Sequence, residues 1–139
     1  MKNEIGKKNM VFGFSYFITT LLLGLYLANK GQSQDPAWED SPAHHLLGTA
    51  HAHGNLESVL NIVIGFILCH LEVPGGLAKI VSILLLVGAI FHSGMLYLTG
   101  LGLGAAINLA PVGALSLIAT MALMAYLTAI GFKKSSGGR

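Results

Sequence analysis

Four long apolar segments constrain what this chain can fold into. They cover approximately residues 10–28, 50–71, 77–99 and 110–132. A helix of about 20 apolar residues is long enough to cross the hydrocarbon core of a bilayer. The composition agrees, because 53% of the residues are hydrophobic and only 10% are charged, whereas a soluble domain carries about 25% charged residues. The sequence therefore predicts an all-α, integral membrane four-helix bundle that forms a single four-span domain over residues 1–139.

The distribution of charge predicts how this bundle is oriented. Seven of the eight Lys and Arg residues lie before the first segment, at the turn between the second and third, or after the fourth. Only Lys30 lies elsewhere, so the positive-inside rule predicts that both termini are cytoplasmic. The sequence also predicts one long outer loop over residues 29–49 and a disordered tail over residues 135–139. The charge pattern indicates that the chain lies in a lipid bilayer, and it does not indicate a nucleic-acid partner.

Polar residues of the second segment form the strongest candidate site. His53, Glu57 and Asn61 are spaced i, i+4 and i+8, so they share one helix face. His92 of the third segment lies at the same depth as Glu57, because each is seven residues from the predicted outer end of its segment. His51 falls on a second polar stripe of the same helix. Ionisable residues inside a bilayer are rare and usually functional, so the sequence predicts a site in the outer half of the bundle.

Several chemistries fit this cluster poorly. In a helix, His51 and His53 point in different directions, which is unfavourable for tetrahedral zinc. A di-iron carboxylate centre needs several Glu residues, and Glu57 is the only one embedded; no Gly-x-Ser-x-Gly motif supports a nucleophilic serine. Haem fits best, because one histidine is sufficient as an axial ligand, and small residues such as Gly54 and Gly94 let a porphyrin approach apolar helices. Glu57 can then orient the ligand histidine through its other ring nitrogen.

A resemblance to a known family rests on the residues around His53. Its elements are Ala52-His53-Gly54, Leu60-Asn61-Ile62, Trp38 before them, and Gly94 to Tyr97 in the third segment. Together these elements resemble the styrene oxide isomerase family, which consists of small four-span membrane enzymes of bacteria. The resemblance covers most of the chain in topology and the two central spans in residues, and it implies a location in the bacterial inner (cytoplasmic) membrane.

The resemblance also implies a cofactor and a reaction. It implies haem b bound between the subunits of a homo-oligomer, a trimer in the family pattern, with His53 as the axial ligand of the iron and His51 as the alternative. Ferric iron then acts as a Lewis acid on a small hydrophobic epoxide that enters from the membrane. Ring opening and a 1,2-hydride shift give an aldehyde. An Asn and a Tyr near the substrate correspond to Asn61 and Tyr97 after a small shift in register.

Two residues depart from the family pattern and leave alternatives open. Glu57 and His92 have no evident counterpart in it. His53 and His92, at similar depth on adjacent helices, are also the arrangement expected of a non-catalytic electron carrier in which both histidines bind one haem. Glu57 is also the kind of residue expected in a proton or metal-ion conduit, although the sequence offers few polar residues below Asn61. The isomerase is the first prediction, and the carrier and the conduit are the alternatives.

Overall fold

The computed structural model describes residues 4–131, and all regular structure in this range is helical. In chain order the helices are α1 (Lys7–Gln32), α2 (Pro36–Glu39), α3 (Pro42–His70), α4 (Gly75–Phe91), α5 (Ser93–Gly100), a 3-10 helix (Gly104–Leu109) and α6 (Ala110–Gly131). Four stretches are long and apolar enough to cross a membrane: α1, α3, α4 with α5, and the 3-10 helix with α6. The predicted all-α four-helix fold is confirmed, whereas the predicted tail at 135–139 lies outside the described residues.

The polar segment between the first two spans is shorter than predicted. The sequence predicts a loop over residues 29–49, but most of this segment belongs to α1 and α3. Pro36 and Pro42 stand in the first turns of α2 and α3, where the missing N–H of a proline costs the helix nothing. Asp35 and Ser41 precede these prolines, and their side chains accept hydrogen bonds from backbone N–H groups in the first turns of α2 and α3. The predicted bounds of the loop are wrong, because the prolines begin helices rather than interrupt them.

α1 packs along α3 through a narrow seam. The buried residues of α1 are Asn9, Gly13, Thr20 and Leu23, which we call the α1–α3 seam, and most of the rest of the helix is exposed. A Cβ atom placed on Gly13 would lie 2.7 Å from the carbonyl oxygen of Ser58 on α3. The missing side chain lets the two backbones approach closely, as small residues do between membrane helices. The seam therefore fixes which face of α1 meets α3.

Two apolar clusters lie toward opposite ends of the bundle. The larger joins the later part of α3 to α4 and α6, and its buried members are Ile64, Leu68, Leu71, Ala78, Val81, Leu85, Met124 and Leu127. The smaller consists of Leu23, Leu47 and Ala50 and joins α1 to α3 near α2. Along α3, the buried polar residues Glu57 and Asn61 lie between the two clusters. These two polar residues therefore lie near the middle of α3.

The third span is interrupted at His92, although the sequence predicts a continuous segment over 77–99. His92 has φ −90° and ψ −85°, and here α4 ends at Phe91 and α5 begins at Ser93. Gly113 of α6 faces this point, and a Cβ atom on it would overlap the backbone nitrogen of His92. The close approach of α6 thus coincides with the break. From the break, the side chains of His92 and Ser93 both contact Glu57 of α3.

Candidate metal centre

Three ionisable side chains converge between α3 and the break that separates α4 from α5. His53 and Glu57 lie one turn apart on α3, and His92 lies at the break. Each of the three residues offers one possible ligand atom, a ring nitrogen or a carboxylate oxygen, and these three atoms all lie within 4.8 Å of one another. Glu57 is fifteen residues from the first residue of α3 and thirteen from the last, within Pro42–His70. The cluster thus lies midway along α3. The sequence predicts that His92 meets the helix face that carries His53 and Glu57, and the structure agrees with this prediction.

Both carboxylate oxygens of Glu57 are occupied. The residue is only 1% exposed. His92 Nδ1 lies 2.6 Å from Oε1, and Ser93 Oγ donates a hydrogen bond to Oε2. With its Nδ1–H directed at the carboxylate, His92 keeps a free lone pair on Nε2. A carboxylate commonly orients metal-binding histidines in this way. The sequence predicts that Glu57 orients His53, whereas the structure pairs it with His92.

The ring of His53 lies directly beside that of His92. The ring centroids are 4.8 Å apart and the planes are inclined by 73°. Within residues 4–131 no group forms a hydrogen bond with the His53 ring. Part of His53 is exposed, as is 20% of the His92 side chain. Two imidazoles with available nitrogens are therefore neighbours at the edge of the bundle.

Sequence reasoning missed two hydroxyl groups of this site. Tyr16 Oη on α1 lies 2.7 Å from Ser93 Oγ. Because Ser93 uses its proton on Glu57, Tyr16 is the donor to Ser93. The position of Ser93 directly after His92 is a signal that could have been used. The contact of Tyr16 spans 77 positions, so no local pattern of the sequence indicates it.

His51, the alternative ligand, has both ring nitrogens engaged elsewhere. Its Nδ1 lies 2.8 Å from the carbonyl oxygen of Thr20 on α1. Its Nε2 lies 3.2 Å from Asn55 Nδ2, which donates to it. The structure therefore places the available ring nitrogens on His53 rather than on His51.

Asn61 belongs to a separate polar cluster one turn further along α3. Asn9 of α1 donates to Asn61 Oδ1 at 3.1 Å and to the Ser82 carbonyl oxygen at 3.0 Å. Ser82 Oγ of α4 donates back to Asn9 Oδ1 at 2.5 Å, and Asn61 Nδ2 donates to the Glu57 carbonyl oxygen at 3.0 Å. All three residues, called here the Asn9 cluster, are fully buried. The cluster joins α1, α3 and α4 and is not predicted from the sequence.

The remaining predicted site residues lie around the centre. Gly54 faces the Thr20 methyl group, and a Cβ atom on Gly94 would lie 3.7 Å from Tyr16 Oη. A Cβ atom on Gly54 would lie only 2.5 Å from that methyl group, so Gly54 lets α1 approach α3, whereas Gly94 has space for a methyl group. Tyr97 lines an apolar cavity nearer to α2, together with side chains of α1 and α3.

The donor set is one that binds transition metals. Imidazole nitrogens are common ligands of iron and zinc in proteins, and a carboxylate commonly holds a metal-binding histidine through its other ring nitrogen. The buried carboxylate supplies a negative charge that a cation between the histidines would compensate. His53, Glu57 and His92 are thus the described residues that could hold a metal ion.

One family model, for a domain of unknown function (DUF8059), matches residues 6–139. The chain belongs to the DUF8059 family. The match includes every helix of the described structure. No curated protein and no solved structure matches the chain. Membership of DUF8059 assigns no activity to the chain.

Proposed function

We propose that the chain is a multi-pass protein of the bacterial inner membrane that holds one transition-metal ion between His53 and His92, with Glu57 holding His92 in position. The observation that carries this proposal is the convergence of these three side chains midway along α3. We also propose that the ion is catalytic and isomerises a small hydrophobic epoxide to an aldehyde, the reaction of the family that the chain resembles.

The energetic cost of the cluster supports a role beyond joining two helices. A charged residue at the centre of a membrane helix costs about 3 kcal/mol on insertion scales. A hydrogen bond between neutral side chains stabilises the association of membrane helices by roughly 1 kcal/mol. A hydroxyl or an amide would therefore join α3 to α5 without the cost of a charged side chain. A cation between His53 and His92 gives Glu57 a counter-charge at the depth where one is needed.

Each residue of the centre has a distinct role in this proposal. His53 and His92 Nε2 bind the ion, and Glu57 holds His92 through the 2.6 Å contact to Nδ1. Ser93 and Tyr16 hold the other carboxylate oxygen in place. The apolar helices around the centre exclude water, so an opened epoxide rearranges rather than adding water to give a diol.

When bound, the ion supplies Lewis acidity to the epoxide oxygen. In the isomerisation one C–O bond breaks, a hydride moves to the adjacent carbon, and the oxygen becomes the aldehyde oxygen. Substrate and product contain the same atoms, so the reaction needs no outside oxidant or reductant.

Haem b with His53 as axial ligand, in a homotrimer, is the form of the proposal that the resemblance favours. The geometry supports a bare ion more strongly. Metal–imidazole bonds of about 2 Å place two histidines on opposite sides of one iron with their ring centroids roughly 6 Å apart. The rings of His53 and His92 are 4.8 Å apart and steeply inclined, which disfavours the two-histidine electron carrier. A haem held by His53 alone needs a second subunit to cover the exposed side of that ring.

The decisive experiment is metal analysis and a visible spectrum of the protein purified in mild detergent. We expect one transition-metal ion per chain and no Soret band. His53→Ala and His92→Ala should lose the ion. Glu57→Gln should weaken its binding by ~10–100-fold, because this residue orients a ligand. His45→Ala, at an exposed histidine, is the matched control and should keep the ion.

Each other outcome has a clear meaning. A Soret band that disappears in His53→Ala replaces the bare ion with haem. A metal-free protein after expression with ample iron, zinc and haem overturns the proposal. Turnover of an aryl epoxide to its aldehyde, followed by gas chromatography, tests the reaction separately from the ion.

A proton conduit through Glu57 is the second candidate function. One observation favours it: Tyr16, Ser93, Glu57 and His92 form a continuous hydrogen-bonded chain from α1 to the α4–α5 break. Proton flux into liposomes that is abolished by Glu57→Gln and is insensitive to metal chelation would support the conduit over the metal centre.

A further inference from the structure

A broad, open groove follows one face of α1 from its first turn. Its volume is about 570 Å³, and its lining residues are Glu4, Lys7, Lys8, Val11, Phe12 and Ser15. Lys7, Val11 and Ser15 are spaced four positions apart, as are Lys8 and Phe12, so these five residues share one side of the helix. None of them belongs to the α1–α3 seam or to the metal centre.

One end of the groove is cationic. Lys7 and Lys8 are exposed at the start of α1, and within residues 4–131 neither forms an ion pair. Glu4 is the only acidic residue of the lining, so the lining carries one net positive charge. Because both lysines line the groove themselves, an anion in the groove is within reach of both ammonium groups.

Beyond the lysines the groove is apolar. Val11 is strongly exposed, and the Phe12 ring stacks on that of Tyr16 with the centroids 5.4 Å apart. The Ser15 hydroxyl donates to the Val11 carbonyl oxygen at 2.9 Å, so its proton is used within the helix. From Lys7 to Ser15 the helix rises by about 12 Å, which is nearly half of the ~30 Å hydrocarbon core. A cationic end that continues into an apolar surface of this length fits an amphiphile with an anionic head and a long chain.

We propose that the groove binds one anionic phospholipid, whose phosphodiester contacts Lys7 and Lys8 and whose acyl chain lies along Val11 and Phe12. α1 is long and apolar enough to cross a membrane, and in that placement its first turn lies at the level of the lipid headgroups. Lysine binds phosphate as a point charge, and basic side chains next to a membrane span recognise anionic headgroups. A phospholipid of zero net charge leaves the positive charge of the lining uncompensated. The proposal rests on the proposed membrane placement and not on the metal ion.

Native mass spectrometry of the protein released from detergent measures the affinity for the first bound lipid. The probes are phosphatidylglycerol, which is anionic, and phosphatidylethanolamine with identical acyl chains, which has no net charge. We expect phosphatidylglycerol to bind about fivefold more tightly. This factor corresponds to about 1 kcal/mol for one net charge at a membrane surface, at tenfold per 1.4 kcal/mol.

Variants of the lysines test the location. Lys7→Gln and Lys8→Gln should each weaken phosphatidylglycerol binding by about fivefold, and the double variant should weaken it by about 30-fold. Lys79→Gln is the matched control, because it removes the same charge from an exposed lysine near the start of α4, outside the groove. This control should bind phosphatidylglycerol as the parent protein does.

Inorganic phosphate and glycerol 3-phosphate test whether the apolar part of the groove contributes. Both carry the anionic group without an acyl chain, so they leave Val11 and Phe12 uncovered. Neither should displace phosphatidylglycerol when added in excess over the lipid.

Three results would overturn the proposal. Equal affinity for the two lipids, unchanged in the lysine variants, indicates an unselective shell of lipid. Equal weakening by Lys79→Gln and Lys7→Gln shows that overall charge rather than the groove attracts the lipid. Displacement by inorganic phosphate shows a site for the free anion instead of a lipid. None of these results bears on metal content, so the proposed metal centre is judged separately.

Discussion

The side chain of Asn9 on α1 connects three helices of the bundle. Its side chain bonds to Asn61 of α3 and to both the backbone and the hydroxyl of Ser82 on α4. Both the oxygen and the nitrogen of its amide are hydrogen-bonded to protein groups. Because the partners are buried, removing this one side chain leaves several groups unpaired at once.

Asn9→Ala is therefore expected to lower the free energy of unfolding by about 1–3 kcal/mol, the cost of stranding buried polar groups. The loss of helical circular dichroism during titration of the detergent-solubilised protein with sodium dodecyl sulfate measures it. Asn108→Ala, at an exposed asparagine, is the control. Equal effects of the two substitutions would contradict the assigned role of the Asn9 cluster.

Ser93 is the second residue for which the structure makes a specific prediction. Ser93→Ala removes the donor to Glu57 Oε2 and the partner of Tyr16. The carboxylate then loses one of its two anchors, and binding of the proposed metal ion should weaken by ~10-fold, as is typical when a group behind the ligands is lost. Metal titration with a competing chelator measures the change. Ser116→Ala is a matched control, because that hydroxyl bonds only to the Val112 carbonyl of its own helix, and it should leave the affinity unchanged.

Among the elements, we expect the contact of α6 with the α4–α5 break to position His92. Gly113 has no space for a side chain there, because a Cβ atom would meet the His92 backbone. Backbone cannot move aside as a flexible side chain can, so an added methyl group has to push the break toward α3 or separate α6 from α4.

Gly113→Ala should consequently reduce both stability and metal content, although the residue carries no ligand atom. Gly48→Ala on α3 is the control, since an added Cβ atom there has nothing within 4 Å, and alanine is expected to stabilise a helix by about 0.5–1 kcal/mol relative to glycine. If the break is positioned as described, the two variants shift thermal unfolding in opposite directions, and metal analysis shows a loss in Gly113→Ala alone. Full metal binding by Gly113→Ala would show that α6 does not position His92.

The sequence predicts two features of the fold and site, the apolar helices and the shared face of His53 and Glu57, because each depends on a single helix. Apolar runs specify helices wherever they occur, and the i, i+4 spacing of His53 and Glu57 follows from one helix alone. The caps at Asp35 and Ser41 are local signals too, since each stands directly before a proline in the first turn of a helix. The Tyr16–Ser93 contact depends on how three helices rotate against each other, which no local pattern encodes.

At the scale of the whole molecule, the distribution of lysines predicts orientation in the membrane. We expect the segment between α1 and α3 to face outward and the turn between α3 and α4 to face the cytoplasm. Cys69 is the only cysteine, so Cys69→Ser provides a background for Ser33→Cys and Gly76→Cys, both at exposed positions. An impermeant maleimide applied to intact cells should label the first variant and reach the second only after permeabilisation. The reverse pattern would invert the proposed topology.

The α1–α3 seam has a consequence for how this chain can change over evolutionary time. Gly13 meets the backbone of its neighbour, whereas Val11, Phe14, Ile18 and Leu25 project away from the protein. Substitution on the outward side exchanges one apolar surface for another at little cost, while substitution within the seam forces two helices apart. Within DUF8059, substitutions in α1 should therefore be concentrated on its outer surface, where aliphatic and aromatic residues replace one another freely. The α1–α3 seam should show almost no substitutions.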